Sequence, residues 1–117
     1  MNGLKYLLDT NIIIGLLKGN DAVIPVLRDI SLTVCGFSAI TRMELLSYPS
    51  ITADEAQAIN RFLERMTYLA ISPIIEDLTI QFRHQYCVKL PDAIIAATAK
   101  TYGIELLTLD KKLAAKL

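Results

Sequence analysis

The sequence predicts an α/β protein, a three-layer α/β/α sandwich around a central, mostly parallel sheet. Short aliphatic runs of strand length alternate with longer helix-like segments, and strands joined through helices pair in parallel. The chain has 117 residues, which fits one domain spanning 1–117. At that length roughly two-thirds of the unfolded surface can be buried, enough for one core. Hydrophobic residues make up 53% and aromatics only 7%, so that core is aliphatic.

The first strand is read at about Lys5–Leu8, followed by a short helix to Leu17 that breaks at Lys18-Gly19-Asn20. A second helix is expected over Asp21–Asp29, with Asp21 favourable at its start and Pro25 late for a first turn. Leu32–Phe37 reads as a strand. A helix then starts at Ser38 or Thr41 and ends before Pro49. Thr52-Ala53-Asp54-Glu55 is a capping box, opening a helix to about Met66 whose apolar stripe (Ala56, Ile59, Phe62, Leu63, Met66) has helical spacing. Tyr68–Ile71 is a short strand. Ser72-Pro73 is an N-cap with proline at the first helical position, so a helix runs to about Tyr86. Pro91 starts a helix that ends at Gly103, a C-terminal glycine, and Ile104–Leu109 is the last strand.

Four acids stand out because each lies in apolar surroundings. Asp9 ends the first strand, Glu44 lies in Met43-Glu44-Leu45-Leu46, Asp92 opens Asp92-Ala93-Ile94-Ile95, and Asp110 follows Leu106-Leu107-Thr108-Leu109. Each has an ordinary structural reading. Asp9 and Asp110 could cap the helices that follow. Glu44 could close a capping box over Thr41-Arg42-Met43-Glu44, although Met43, Leu45 and Leu46 beside it place it near the core instead. Asp92 could complement a helix dipole. The conjunction says more: two of these acids end parallel strands on one sheet edge, and two begin helices that pack on the sheet. Ligands bind at that edge in open α/β sheets. Carboxylates about 4 Å apart repel by several kcal/mol, so clustering calls for protonation or a cation. Hard oxygen ligands suit Mg²⁺ or Mn²⁺ rather than Zn²⁺.

Other chemistries fit less well. His84 is the single histidine, which rules out a His-rich zinc site, and a His84–Cys87 nucleophile pair is set aside as structural. The five glycines are scattered and form no phosphate loop. Cys35 and Cys87 have no framework spacing and are expected as buried free thiols in a reducing cytoplasm. No apolar run approaches the ~20 residues of a membrane span. Net charge is zero, yet if four of the 12 acids face a cation, the 12 bases leave a positive surplus elsewhere. A polyanionic partner therefore stays open. Arg42, Lys89 and Lys111 lie near the acids and read equally as phosphate contacts or as surface charges.

The segments Leu7-Leu8-Asp9-Thr10-Asn11, Ser38-Ala39-Ile40-Thr41-Arg42-Met43-Glu44-Leu45-Leu46, Leu90-Pro91-Asp92-Ala93-Ile94-Ile95-Ala96-Ala97-Thr98-Ala99 and Leu107-Thr108-Leu109-Asp110 resemble, in order and spacing, the motifs of PIN-domain ribonucleases. They most resemble the VapC-type toxins of prokaryotic toxin–antitoxin pairs. The resemblance implies a Mg²⁺- or Mn²⁺-dependent endoribonuclease, with one or two ions held by Asp9, Glu44, Asp92 and Asp110. Thr10 would lend support, Asn11 would orient Asp9 by hydrogen bonding, and Thr108 would support Asp110. It further implies water-driven hydrolysis leaving 5′-phosphate and 3′-hydroxyl ends, a homodimer, a cytoplasmic setting, and an inhibitory antitoxin.

Two departures accompany it. Many relatives place another acid just before the third motif or just after the fourth, where this chain has Cys87-Val88-Lys89-Leu90 and Lys111-Lys112. A second ion is therefore expected to bind weakly or only with substrate. Relatives also usually continue beyond the position of Leu117 into a final edge strand, which bears on edge protection. Two rival functions stand beside this one: a phosphatase with Asp9 as nucleophile, which would want an acid at position 11 where the chain has Asn11, and a degenerate binding or oligomerisation module.

Overall fold

A computed structural model describes residues 3–117. Its sheet has four strands, β1 (Tyr6–Leu8), β2 (Cys35–Ser38), β3 (Thr67–Leu69) and β4 (Glu105–Leu107), in the order β3-β2-β1-β4. Every pairing is parallel, with Tyr6 opposite both Cys35 and Glu105, and Gly36 opposite Thr67. The three-layer α/β sandwich expected from the alternation is therefore the fold.

Leu7 and Leu8 point to opposite faces of β1, as the period of a strand requires. Leu8 joins Ile12, Ile13, Val23, Phe37, Leu45 and Leu63 on one face. Ile12 and Ile13 come from α1 (Thr10–Leu17), Val23 from the turn before α2 (Ile24–Leu27), Phe37 from β2, Leu45 from α3 (Ala39–Leu46) and Leu63 from α4 (Ala53–Leu63). Leu7 joins Phe82, Ala93, Ile95, Ala96, Ala99 and Leu113 on the other. That layer is built by α5 (Pro73–Gln85), α6 (Leu90–Tyr102) and α7 (Lys111–Ala114). The small residues of α6 let its backbone approach the sheet closely, and six of its 13 residues, Ala93 and Ile95–Ala99, are buried.

Several boundaries move, each for a local reason. The helix expected over Asp21–Asp29 is only the four-residue α2. Asn20 Oδ1 accepts from Ala22 N at 2.8 Å, holding residues 21–23 in a turn, and Pro25 has no N–H to continue a helix from Asp21. The strand expected from Leu32 begins at Cys35, because Ser31 caps a 3₁₀ turn at Leu32–Val34. β3 stops at Leu69, the residue opposite Ser38, where β2 turns into α3. β4 is likewise trimmed to its three partners on β1. α4 ends at Leu63, before Met66, and only Lys111–Ala114 of the terminal segment is helical. The capping box at Thr52 and Glu55 is formed from both sides. Gly103 caps α6 with φ +63°, the left-handed conformation expected at that position.

Candidate active site

Asp9 leaves β1 and turns directly into α1. Its backbone N–H still donates to Leu107 O at 2.9 Å, extending the β1–β4 ladder by one bond. The side chain is 4% exposed. Oδ1 accepts from Thr10 N at 2.7 Å, so the residue is indeed the N-cap of α1. Oδ2 accepts from Thr108 Oγ1, also at 2.7 Å.

Thr108 is the hub of this edge. Besides donating to Asp9, its oxygen accepts from Asn11 Nδ2 at 3.3 Å and from Asp110 N at 3.0 Å. Asn11 Oδ1 accepts from Leu109 N at 3.1 Å. Asn11 therefore does not bond Asp9 directly. From the second position of α1, its amide reaches the segment after β4 and fixes the hydroxyl that holds Asp9. Thr108 does support Asp110, through the backbone, and Asp110 Oδ1 caps α7 by accepting from Lys112 N and Leu113 N at 3.0 and 3.1 Å.

Glu44 lies on α3, and neither the capping box nor the expected place near the core is what the structure has. Ser38, not Thr41, is the N-cap of α3, its Oγ accepting from Ile40 N at 3.2 Å. No capping box includes Glu44, and its side chain is exposed rather than near the core. Instead, Glu44 Oε1 accepts from Thr10 Oγ1 at 2.7 Å, which ties α3 to α1. Thr10 Oγ1 also lies 3.0 Å from the hydroxyl of Thr41. Thr41, read from sequence as a candidate N-cap, is fully buried within α3. Its spacing of three residues from Glu44 on one helix was the available sign that the two share a face.

Asp92 stands half-buried in the first turn of α6. Burial raises the pKa of Asp9, opposed by the hydrogen bonds from Thr108 and Thr10 and reinforced by the charges of Asp92 and Glu44. Burial also raises that of Asp92, reinforced by Asp110 and opposed by Lys89. All four acids are thus linked through one field, and both charges acting on Asp9 are negative. The geometry is open rather than closed. Among the described residues, no three His, Cys, Asp or Glu side chains are gathered tightly enough to hold an ion as they stand.

Two grooves lie elsewhere. One of about 440 Å³ is lined by Phe37, Arg42, Leu63, Met66 and Tyr68 among others. The second, about 410 Å³, includes His84 and Cys87. Neither is lined by any of the four acids, which stand on an open rim beside the β1–β4 crevice. That crevice is where the chain order of the strands reverses, the usual ligand position in such sheets.

A mainly parallel sheet with an acidic rim at this position defines a PIN-type fold. The PIN domain family model matches residues 6–116, and the chain belongs to that family. It is 32% identical to a chain of a toxin–antitoxin complex from Klebsiella pneumoniae, covering 97% of this chain and 92% of that one, with a TM-score of 0.85. It is 25% identical to a chain of VapBC-1 from nontypeable Haemophilus influenzae, covering 97% and 92%, with a TM-score of 0.79. The fold is shared at 16% identity with Mycobacterium tuberculosis VapC20, a toxin that cleaves the sarcin–ricin loop, over 96% of this chain and 95% of that one, with a TM-score of 0.73. The VapC-type resemblance is borne out. No curated protein matches the chain.

Proposed function

We propose that this protein is a Mg²⁺- or Mn²⁺-dependent endoribonuclease and the toxin of a toxin–antitoxin pair. The observation that carries the reading is the set of four carboxylates about one rim of the sheet, where burial first and neighbouring negative charge second raise the pKa of Asp9 and Asp92. A bound cation would compensate these charges. The donors are all oxygen, which matches Mg²⁺ or Mn²⁺. Mg²⁺ is commonly held by one or two carboxylates, with waters and substrate phosphates completing its shell, so the open spacing fits it.

Asp9, Glu44 and Asp92 would hold the ion, with Asp110 beside Asp92. When bound, it supplies positive charge to the phosphodiester and makes water a better nucleophile at neutral pH. The chain's own residues orient the acids. Thr108 fixes one oxygen of Asp9 and Thr10 N the other, Asn11 fixes Thr108, and Thr10 Oγ1 fixes Glu44. The N-terminus of α6 directs partial positive charge toward the rim, and Lys89, its N-cap, adds a full one beside Asp92. An open rim admits a polymer. Water attack needs no 2′-hydroxyl nucleophile, so products carry 5′-phosphate and 3′-hydroxyl ends. Selectivity for RNA then comes from single-strandedness, shape and base contacts around the rim.

The similarity to a chain of a toxin–antitoxin complex supports an antitoxin partner, and a cytoplasmic homodimer follows from the same reading. Exposed apolar residues such as Ile74, Ile80 and Leu90 are compatible with protein–protein surfaces. Among the described residues, no helix is long and apolar enough to cross a membrane. Asn11, engaged on Thr108 and Leu109, is no second acid for an aspartyl-phosphate route.

The test is RNA cleavage by purified wild type and Asp9→Asn, with Mn²⁺ or EDTA and with product ends mapped. Cleavage is expected only for wild type with metal, leaving 5′-phosphates. Cyclic-phosphate ends would overturn the water-attack route. Wild-type activity in Asp9→Asn would overturn the site, and a protein that neither cleaves RNA nor binds Mn²⁺ would be a binding module.

A further inference from the structure

Arg42 is left open by the sequence between a phosphate contact and a surface charge. In the structure it lines the groove of about 440 Å³ beside β3, the edge strand of the sheet. That volume is the size of a small-ligand pocket. Part of the lining is apolar and buried, from Phe37, Leu63 and Met66. Tyr68 lines it too, 52% exposed, with its ring centre 5.8 Å from that of Phe37. Arg42, Asn60 and Glu64 supply the polar groups; all three are exposed, and among the described residues none of their side chains makes a hydrogen bond or an ion pair. The second groove differs, because its polar groups are already engaged. Arg83 Nε donates to Val88 O, Thr79 Oγ1 donates to Ile75 O, and the Tyr86 ring packs on Phe82 and under Lys116. Its Cys87 is a free thiol, exposed rather than buried as the sequence suggests.

We propose that the groove beside β3 is a base-specificity site that takes one unpaired guanine of a single-stranded RNA. The inference rests on the ribonuclease reading above and names what selects its substrate. Unstacked bases are read by aromatic side chains on their faces and by hydrogen bonds on their edges. Tyr68 and the apolar lining suit the face. The edges decide the base. A guanidinium donates in a fork to O6 and N7 of guanine. A carboxylate only accepts, which suits the N1–H and N2–H₂ donors on the adjacent edge of the same base. Guanine alone offers both a pair of acceptors and a pair of donors, so it satisfies Arg42 and Glu64 together. Asn60 by itself would suit adenine, but Arg42 and Glu64 would then lack full partners. Glu64 also repels phosphate, which favours a base over the backbone in this groove. Arg42 and Glu44 are two residues apart on α3, which places them on opposite flanks of that helix. A flexible single strand crosses such a helix, roughly 10–12 Å wide, in a few nucleotides. The guanine therefore lies a short fixed distance from the cleaved bond.

The test is fluorescence anisotropy of a short labelled oligouridylate, and of the same oligomer with one central guanine, adenine or cytosine, on the whole protein in EDTA. Wild type, Glu64→Gln and Tyr68→Leu are compared, with thermal unfolding as a check on the fold, and cut sites in an unstructured RNA are mapped with Mn²⁺. Wild type is expected to bind the guanine oligomer about tenfold more tightly than the other three and to cut at a fixed offset from guanine. Glu64→Gln is expected to lose most of that preference while keeping its affinity for oligouridylate. Tyr68→Leu is expected to weaken all four by about tenfold. Equal affinity for the four oligomers, which is also the result if a protein segment fills the groove, would overturn the inference. So would a guanine preference untouched by either substitution. RNA cleavage by wild type in those cases leaves the nuclease reading standing. Guanine-selective binding without cleavage would overturn the nuclease reading and keep the base site, and neither binding nor cleavage would overturn both.

Discussion

At the scale of single residues, the acidic rim makes the metal-free protein sensitive to pH. The pKa of Asp9 is raised chiefly by burial and that of Asp92 likewise, both from an ordinary 3.8. An acid whose pKa rises on folding keeps its proton in the folded state over a range where the unfolded chain has lost it. The folded state binds more protons there, so stability falls as pH rises from 3.8 through the folded value, and the loss is complete above it. Urea unfolding in EDTA across this range should show that decline in wild type. Asp9→Asn should decline less steeply, gaining on wild type as the pH rises. Parallel curves for the two proteins would mean that Asp9 carries no such penalty. Sequence spacing located these acids, but not their partners. Asp9 is legible because it directly follows β1, whereas Asp110, expected at the end of the last strand, lies three residues past β4 and caps α7. The bonds from Thr10 to Glu44 and from Thr108 to Asp9 join residues 34 and 99 positions apart, which no local pattern encodes.

At the scale of elements, the turn between α1 and α2 depends on close approach. A Cβ on Gly15 would lie 2.5 Å from Val23 Cγ2, and Val23 is fully buried. Alanine would gain up to about 1 kcal/mol in helix propensity but force the two segments apart, and overpacking of this kind typically costs about 1–3 kcal/mol. Gly15→Ala is therefore expected to lower stability by about 1 kcal/mol, read from chemical denaturation; a variant as stable as wild type would show that the turn yields freely. This contact explains what sequence reading misses here. Periodicity and Asp21 suggest a full second helix, while Asn20, Pro25 and the packing of Val23 on α1 restrict it to one turn. Elements whose ends are marked by their own residues, as with Thr52 and Glu55 or Ser72 and Pro73, fall where the sequence places their starts.

At the scale of the whole molecule, the rim adds a destabilising charge cluster to a chain that otherwise has an ordinary aliphatic core on each sheet face. Any ligand that binds only the folded state adds stability by mass action, about 2.7 kcal/mol at a hundredfold excess over its Kd. Mn²⁺ or Mg²⁺ should therefore raise the Tm of wild type measurably and that of Asp9→Asn much less. Equal shifts in the two proteins would place the binding elsewhere, for instance on the exposed acids of α4. The molecule also carries an exposed apolar group at Ile14, Leu17, Ile24 and Val26, which gives the high apolar content of the chain a location on the surface as well as in the core.

The sequence by itself determined the fold class, the order of strands and helices, and where the four acids lie along the chain. Alternation of strand and helix, capping residues and apolar flanks are local signals, and a parallel sheet brings the ends of its strands to one edge. The tertiary structure alone decided how the acids are held. It made Glu44 an exposed acid tied to α1 rather than a cap, directed Asn11 to Thr108 rather than to Asp9, and set Thr41 behind Thr10. Those outcomes depend on which side chains meet when α1, α3 and the segment after β4 pack together. Such contacts are fixed by register and burial across the whole chain, and no residue's neighbours in sequence specify them.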